Sequence, residues 1–88
     1  MKDMFFIVSI GCLSCAKMRI FIRKALKDLK LENEINVVEI DSESEEAIDI
    51  AVKNEILDIP GCSFNGKSVY GESFLYDDIY ELIKEQSE

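Results

Sequence analysis

Met4-Phe5-Phe6-Ile7-Val8-Ser9-Ile10-Gly11-Cys12-Leu13-Ser14-Cys15 is the stretch on which the fold turns. From Met4 to Ile10 it is an almost continuous apolar run, rich in aromatic and β-branched residues. That pattern predicts a central strand buried on both faces, as in a parallel sheet with helices on each side. Gly11 ends the run. From Ser14 onward the apolar residues Met18, Phe21, Ile22, Ala25, Leu26 and Leu29 recur at alternating steps of three and one, which predicts an amphipathic helix ending near Leu31. Cys12 therefore falls where a strand gives way to a helix.

That position has a chemical consequence. The first amide groups of a helix lack intrahelical acceptors, and the helix dipole is positive there, so both favour an anionic sulfur. Thiolate is the nucleophile of disulfide exchange, and a cysteine at a helix N-terminus in a C-x-x-C commonly ionises well below about 8.5. Cys15 lies on the same side of the first turn, with its Cβ about 5–6 Å away, within bridging range after modest rotation. The pair predicts a two-step exchange in which Cys12 attacks a target disulfide and Cys15 resolves the mixed disulfide. Lys17 and Arg19 place positive charge just beyond.

Downstream, Ile35–Ile40 reads as a second strand, and Ser42 with Glu45 has capping-box spacing. A second helix from about Ser44 to Lys53 follows, with Ala47, Ile48, Ala51 and Val52 as its apolar stripe. After Ile59-Pro60, the residues Cys62–Phe64, Asn65-Gly66 and Lys67–Tyr70 read as strand, two-residue turn and strand. Phe74, Leu75, Ile79, Leu82 and Ile83 form the apolar face of a last helix. The order is β-α-β-α-β-β-α. A right-handed crossover makes the first two strands parallel and the hairpin adds two antiparallel ones, so an α/β fold is expected, a four-stranded mixed sheet with helices on both faces. At 88 residues the chain suits one domain spanning 1–88.

The formal charge of −8 opposes nucleic-acid binding and an anionic membrane surface. The charge is unevenly spread: residues 14–31 carry six cations against the single acid Asp28. The longest uninterrupted apolar stretch, Met4–Val8, is far short of the roughly 20 residues of a membrane span, so neither an anchor nor a secretory signal is expected. Three cysteines fit poorly with a secreted disulfide framework, which makes a reducing, cytoplasmic compartment the expectation. No cofactor is expected.

The succession of strand, Gly11-Cys12-Leu13-Ser14-Cys15, helix, strand, helix, Ile59-Pro60, hairpin at Asn65-Gly66-Lys67 and closing helix resembles the thioredoxin-like superfamily over essentially the whole chain. It is most similar to the short, glutaredoxin-sized members. The resemblance implies a thiol–disulfide oxidoreductase that exchanges its dithiol with protein disulfides and is re-reduced by a reductase, with Cys12 and Cys15 catalytic. It also implies a cis Pro60 beside the C-x-x-C, a conformation inexpensive only for proline. Ile59 would offer backbone groups to a bound substrate peptide. Several positions depart from the pattern. Leu13-Ser14 matches neither the thioredoxin nor the glutaredoxin dipeptide, and Phe6 stands where thioredoxins carry an acid. Asp58 replaces the threonine that glutaredoxins place two residues before the proline, and Gly71-Glu72 keeps only half of their glycine pair. A tripeptide with two carboxylates is disfavoured beside Asp58, which argues against glutathione as a partner.

Cys62 admits two readings. The first is a small buried apolar residue. The second is a third thiol, facing the same way as Pro60 in an extended strand, that joins Cys12 and Cys15 in a soft-metal site or acts as a redox partner of Cys15. The chain has no histidine, and three thiolates leave zinc one ligand short while suiting Cu(I). Because the Gly11–Cys15 loop also resembles that of small heavy-metal-binding domains, a Cu(I)/Zn protein or metallochaperone is the alternative. Those domains run β-α-β-β-α-β, an order from which the helix at about Ser44–Lys53 and the terminal helix depart. A third possibility is a docking module using acids such as Glu43, Glu45, Glu46, Asp77 and Asp78.

Overall fold

A computed structural model describes residues 2–87. Within them, strands β1 (Lys2–Val8), β2 (Ile35–Asp41), β3 (Gly61–Phe64) and β4 (Lys67–Tyr70) form one sheet of order β2-β1-β3-β4. The apolar run of β1 occupies a central place, parallel to β2 and antiparallel to β3, and β3 and β4 close as the Asn65-Gly66 hairpin. Helices α1 (Leu13–Asp28), α2 (Glu45–Asn54) and α3 (Tyr76–Ser87) complete the expected β-α-β-α-β-β-α order.

Alternation along β1 sorts the core into two layers. Met4 and Phe6 face α1 and α3, where they join Met18, Ile22, Ala25, Leu26, Ile79, Leu82 and Ile83 with Cys62 and Phe64 of β3. Ile7 faces the other way, with Ile40, Ala47 and Ile56 under α2. Helices thus cover both faces. The α1–α3 layer is also braced at its surface, where the Tyr76 hydroxyl donates to Asp28 at 2.5 Å and the Lys24 ammonium donates to the same carboxylate at 2.8 Å. No helix of the described residues is long and apolar enough to cross a membrane.

Four local expectations are corrected. β1 stops at Val8 rather than Ile10, because the chain leaves the sheet at Ser9 and turns; Ile10 is 95% exposed. The cap of α2 is Ser44, whose hydroxyl accepts the Ala47 N–H at 3.1 Å. Ser42 instead donates its N–H to Val8 at 2.8 Å, extending the β1–β2 ladder, so the Ser42–Glu45 capping box does not form. With that start, α2 packs Ala47, Ile50 and Ala51 inward, and Ile56 from the following loop fills the rest of this small layer. Ile48 and Val52 are therefore left exposed. Finally, Phe74 is buried ahead of α3 rather than on it, while Leu75 is exposed and gives its N–H to Asp78 at 2.7 Å.

Gly61 holds the entry to β3 open to a close neighbour. A Cβ there would lie 2.3 Å from Ile56 Cγ2 and 3.2 Å from the Asp58 carbonyl oxygen. Gly61→Ala is expected to destabilise the fold by about 1–3 kcal/mol through overpacking. Urea denaturation measures it, and an unchanged midpoint would show that the 56–58 loop yields freely.

Candidate dithiol site

Gly11 takes φ +76°, a left-handed conformation that glycine adopts without steric cost, and this turns the chain from β1 into α1. Cys12 is consequently the N-cap of α1, in extended conformation, and its Sγ accepts the Cys15 N–H at 3.0 Å. The two cysteines are joined as a disulfide with Cα atoms 5.1 Å apart. They are not equivalent: Cys12 is half-buried, whereas Cys15 is 2% exposed. The outer sulfur is therefore Cys12, set among helix-start amides that favour its anionic form. Leu13 projects beside it, 87% exposed.

The Ile59–Pro60 bond is cis. Since Ile7 opposes Gly61 across the β1–β3 ladder, Pro60 enters the sheet at the end of β1 from which the chain continues to Cys12. Pro60 is buried, and its carbonyl accepts the Gly71 N–H at 2.9 Å. Ile59, half-buried, donates its N–H to the Asp58 carboxylate at 2.8 Å. The amide expected to meet a substrate peptide thus already has an acceptor within the chain.

A cavity of about 440 Å³ lies against the disulfide. Cys12 and Cys15 line it together with Arg19, Glu39 and Asp41. Arg19 follows Cys15 by one helical turn and so sits on the same side of α1. Its Nε donates to Glu39 Oε1 at 2.6 Å, and its guanidinium carbon lies 5.8 Å from the centre of the Phe6 ring. Phe6 and Glu39 are opposite one another in the β1–β2 ladder. The strand position at which thioredoxins carry an acid therefore holds an aromatic ring here, and the neighbouring strand brings a carboxylate beside it. Lys17 takes no part in the cavity lining; its ammonium lies over the rings of Phe21 and Phe74, 5.5 and 5.1 Å from their centres. Glu39 and Asp41 are the residues that the local sequence signals left unmarked. Their shared parity with the inward-facing Val37 on a mostly apolar strand is the available hint.

Cys62 is fully buried in the α1–α3 layer opposite Phe6. Desolvation pushes its thiol up from an ordinary 9.0 to about 12, opposed only in part by a backbone hydrogen bond at Val69. This is the behaviour of a small core residue. Among the described residues no three cysteine, aspartate, glutamate or histidine side chains are grouped so as to hold a metal, so the third-ligand reading finds no site. Iodoacetamide at mild alkaline pH, after reduction, is expected to leave Cys62 unmodified in the folded protein and to label it in urea, as read by mass spectrometry. Labelling at the rate of Cys12 would contradict the burial.

No protein-family model matches the chain, and no curated protein matches it significantly. Solved structures do. Mitochondrial thioredoxin 3 of Saccharomyces cerevisiae, in its oxidised form, is 19% identical with a TM-score of 0.64, over 96% of this chain and 77% of its own. Thioredoxin 1 of Thermosipho africanus is 14% identical with a TM-score of 0.60, over 94% and 91%. A thioredoxin-like protein in mutant form is 17% identical with a TM-score of 0.58, over 91% and 97%. The chain has a thioredoxin-like fold, and it carries its C-x-x-C pair at disulfide distance where the first strand meets the first helix.

Proposed function

We propose that the protein is a thiol–disulfide oxidoreductase acting on protein disulfides in a reducing compartment, the cytoplasm, and recharged by a dithiol reductase. The observation that carries this reading is the asymmetric Cys12–Cys15 pair: a half-buried sulfur at a helix N-cap, bonded to a buried one a turn further on. In the reduced protein, the Cys12 thiolate attacks one sulfur of the target disulfide and expels the other as a thiolate, which takes a proton. Cys15 then loses its proton and attacks Cys12 Sγ; the Cys12–Cys15 disulfide forms and the target leaves fully reduced. Two electrons pass from the protein to the target. Ile59 and Pro60, at the same end of the sheet, are the proposed peptide-binding residues, through backbone pairing with an extended segment.

Dithiothreitol-driven reduction of insulin tests the reading. The protein is expected to accelerate it catalytically, and a rate equal to that of dithiothreitol alone would overturn the proposal. The Asp58–Ile59 contact adds a finer expectation. Asp58→Ala frees the Ile59 N–H for a substrate carbonyl and is expected to lower KM for a peptide disulfide by about three- to tenfold, the range of one hydrogen bond, with kcat little changed. A raised KM would mean that the carboxylate orders the loop for binding rather than competing with the peptide.

A further inference from the structure

The charged side chains in the cavity beside the disulfide are Arg19 from α1 and Glu39 and Asp41 from β2; the turn Ser9–Gly11 contributes none. Arg19 is held from two sides, by the 2.6 Å bond to Glu39 and by the face of Phe6. A guanidinium keeps its charge at every working pH. It therefore presents a fixed cation in the space that Cys12 and Cys15 line, while Glu39 presents an anion that offsets it. Any change in the charge of the Cys12–Cys15 pair is felt by both partners of this ion pair, with opposite sign.

We propose that the Arg19–Glu39 pair sets the redox poise of the Cys12–Cys15 couple, Arg19 as the cation that supports thiolate and Glu39 as its counterweight. Both are positioning residues, acting on the sulfurs through charge. Reduction by glutathione fixes the balance. Two glutathione thiols give two electrons to the disulfide and join as one glutathione disulfide; their protons pass to the new thiols, or to solvent where Cys12 remains thiolate. Whatever stabilises thiolate lowers the thiol pKa, favours the reduced form and makes the couple more oxidising. The proposal deepens the oxidoreductase reading. Yet poise is a property of the dithiol itself, measurable whether or not insulin is turned over, so the two readings fail separately.

The test equilibrates folded wild type, Glu39→Gln, Arg19→Gln, Arg19→Lys and Lys17→Gln in glutathione buffers, with thiolate absorbance followed against pH. Glu39→Gln removes the anion bonded to Arg19 and leaves Asp41 as the remaining one in the cavity; its thiolate appears at lower pH, and its equilibrium constant for reduction rises about three- to tenfold. Arg19→Gln leaves Glu39 and Asp41 as anions and shifts both quantities the other way by a similar factor. Arg19→Lys keeps the charge and stays near wild type, as does Lys17→Gln, whose cation lies outside the cavity. High salt shrinks the differences, because the cavity is open to solvent. Shifts of Glu39→Gln and Arg19→Gln in the same direction, Arg19→Lys behaving as Arg19→Gln, or no shift at all would overturn the proposal.

Discussion

Cys12→Ser is expected to abolish disulfide exchange, lowering the rate by about three orders of magnitude or more, as loss of a covalent nucleophile does. Cys15→Ser is expected to lose turnover as well, but in a different way. Cys12 remains at the N-cap with its sulfur toward the helix-start amides, so the first attack proceeds and the mixed disulfide then waits for an outside thiol. The burial of Cys15 supports this division of labour, since a residue only 2% exposed cannot readily meet a protein disulfide, whereas it is already placed to meet Cys12. Incubation of each reduced variant with a peptide disulfide, followed by intact-mass measurement without reductant, distinguishes the steps. The adduct should accumulate on Cys15→Ser alone. Accumulation on Cys12→Ser instead would reverse the roles, and full turnover by both variants would remove the pair from the chemistry.

Much of this arrangement is written locally in the chain. An apolar run, a glycine and a helical repeat are near-neighbour signals, and they locate β1, α1 and the N-cap position of Cys12 without tertiary information. The same signals fail where a contact from elsewhere decides. Ile10 is as hydrophobic as the residues of β1, but the turn at Ser9–Gly11 carries it into solvent. Ser42 and Ser44 are chemically equal as caps. Asp41 decides between them, accepting the Glu43 N–H on its carboxylate and the Ser44 hydroxyl on its backbone carbonyl, while Ser42 is spent on the ladder to Val8. The cis form of Pro60 is implied only by the family resemblance, because no local pattern around it specifies the isomer. Glu39 is the clearest case. Its place beside the disulfide depends on the register that sets it opposite Phe6, a pairing between residues far apart in sequence. The paired cysteines are legible one by one, and the charges around them only after the sheet is assembled.

Cys62 supplies the second large effect, a loss of stability in alkali. A thiol is neutral below its pKa and anionic above it; in the fold this one is held near 12 by burial, against an ordinary 9.0 in the unfolded chain. Below 9 both states keep the proton, and the group makes no pH-dependent contribution. Between 9 and 12 the unfolded chain releases its proton while the folded chain retains it, so the folded state binds more protons and stability falls as pH rises. The slope approaches about 1.4 kcal/mol per pH unit, or about 3 kcal/mol by roughly pH 11. That is a large share of the stability of so small a domain. Cys62→Ala removes the titration at the cost of a small void among Met4, Phe6 and Phe64. At neutral pH the variant is therefore the less stable protein, and in alkali the order should narrow and then invert. Tyrosine and lysine ionisation in the same range is common to both proteins, so the difference between their urea midpoints isolates the thiol. A difference that stays constant from mild to strong alkali would place Cys62 in contact with water and return it to the list of reactive thiols.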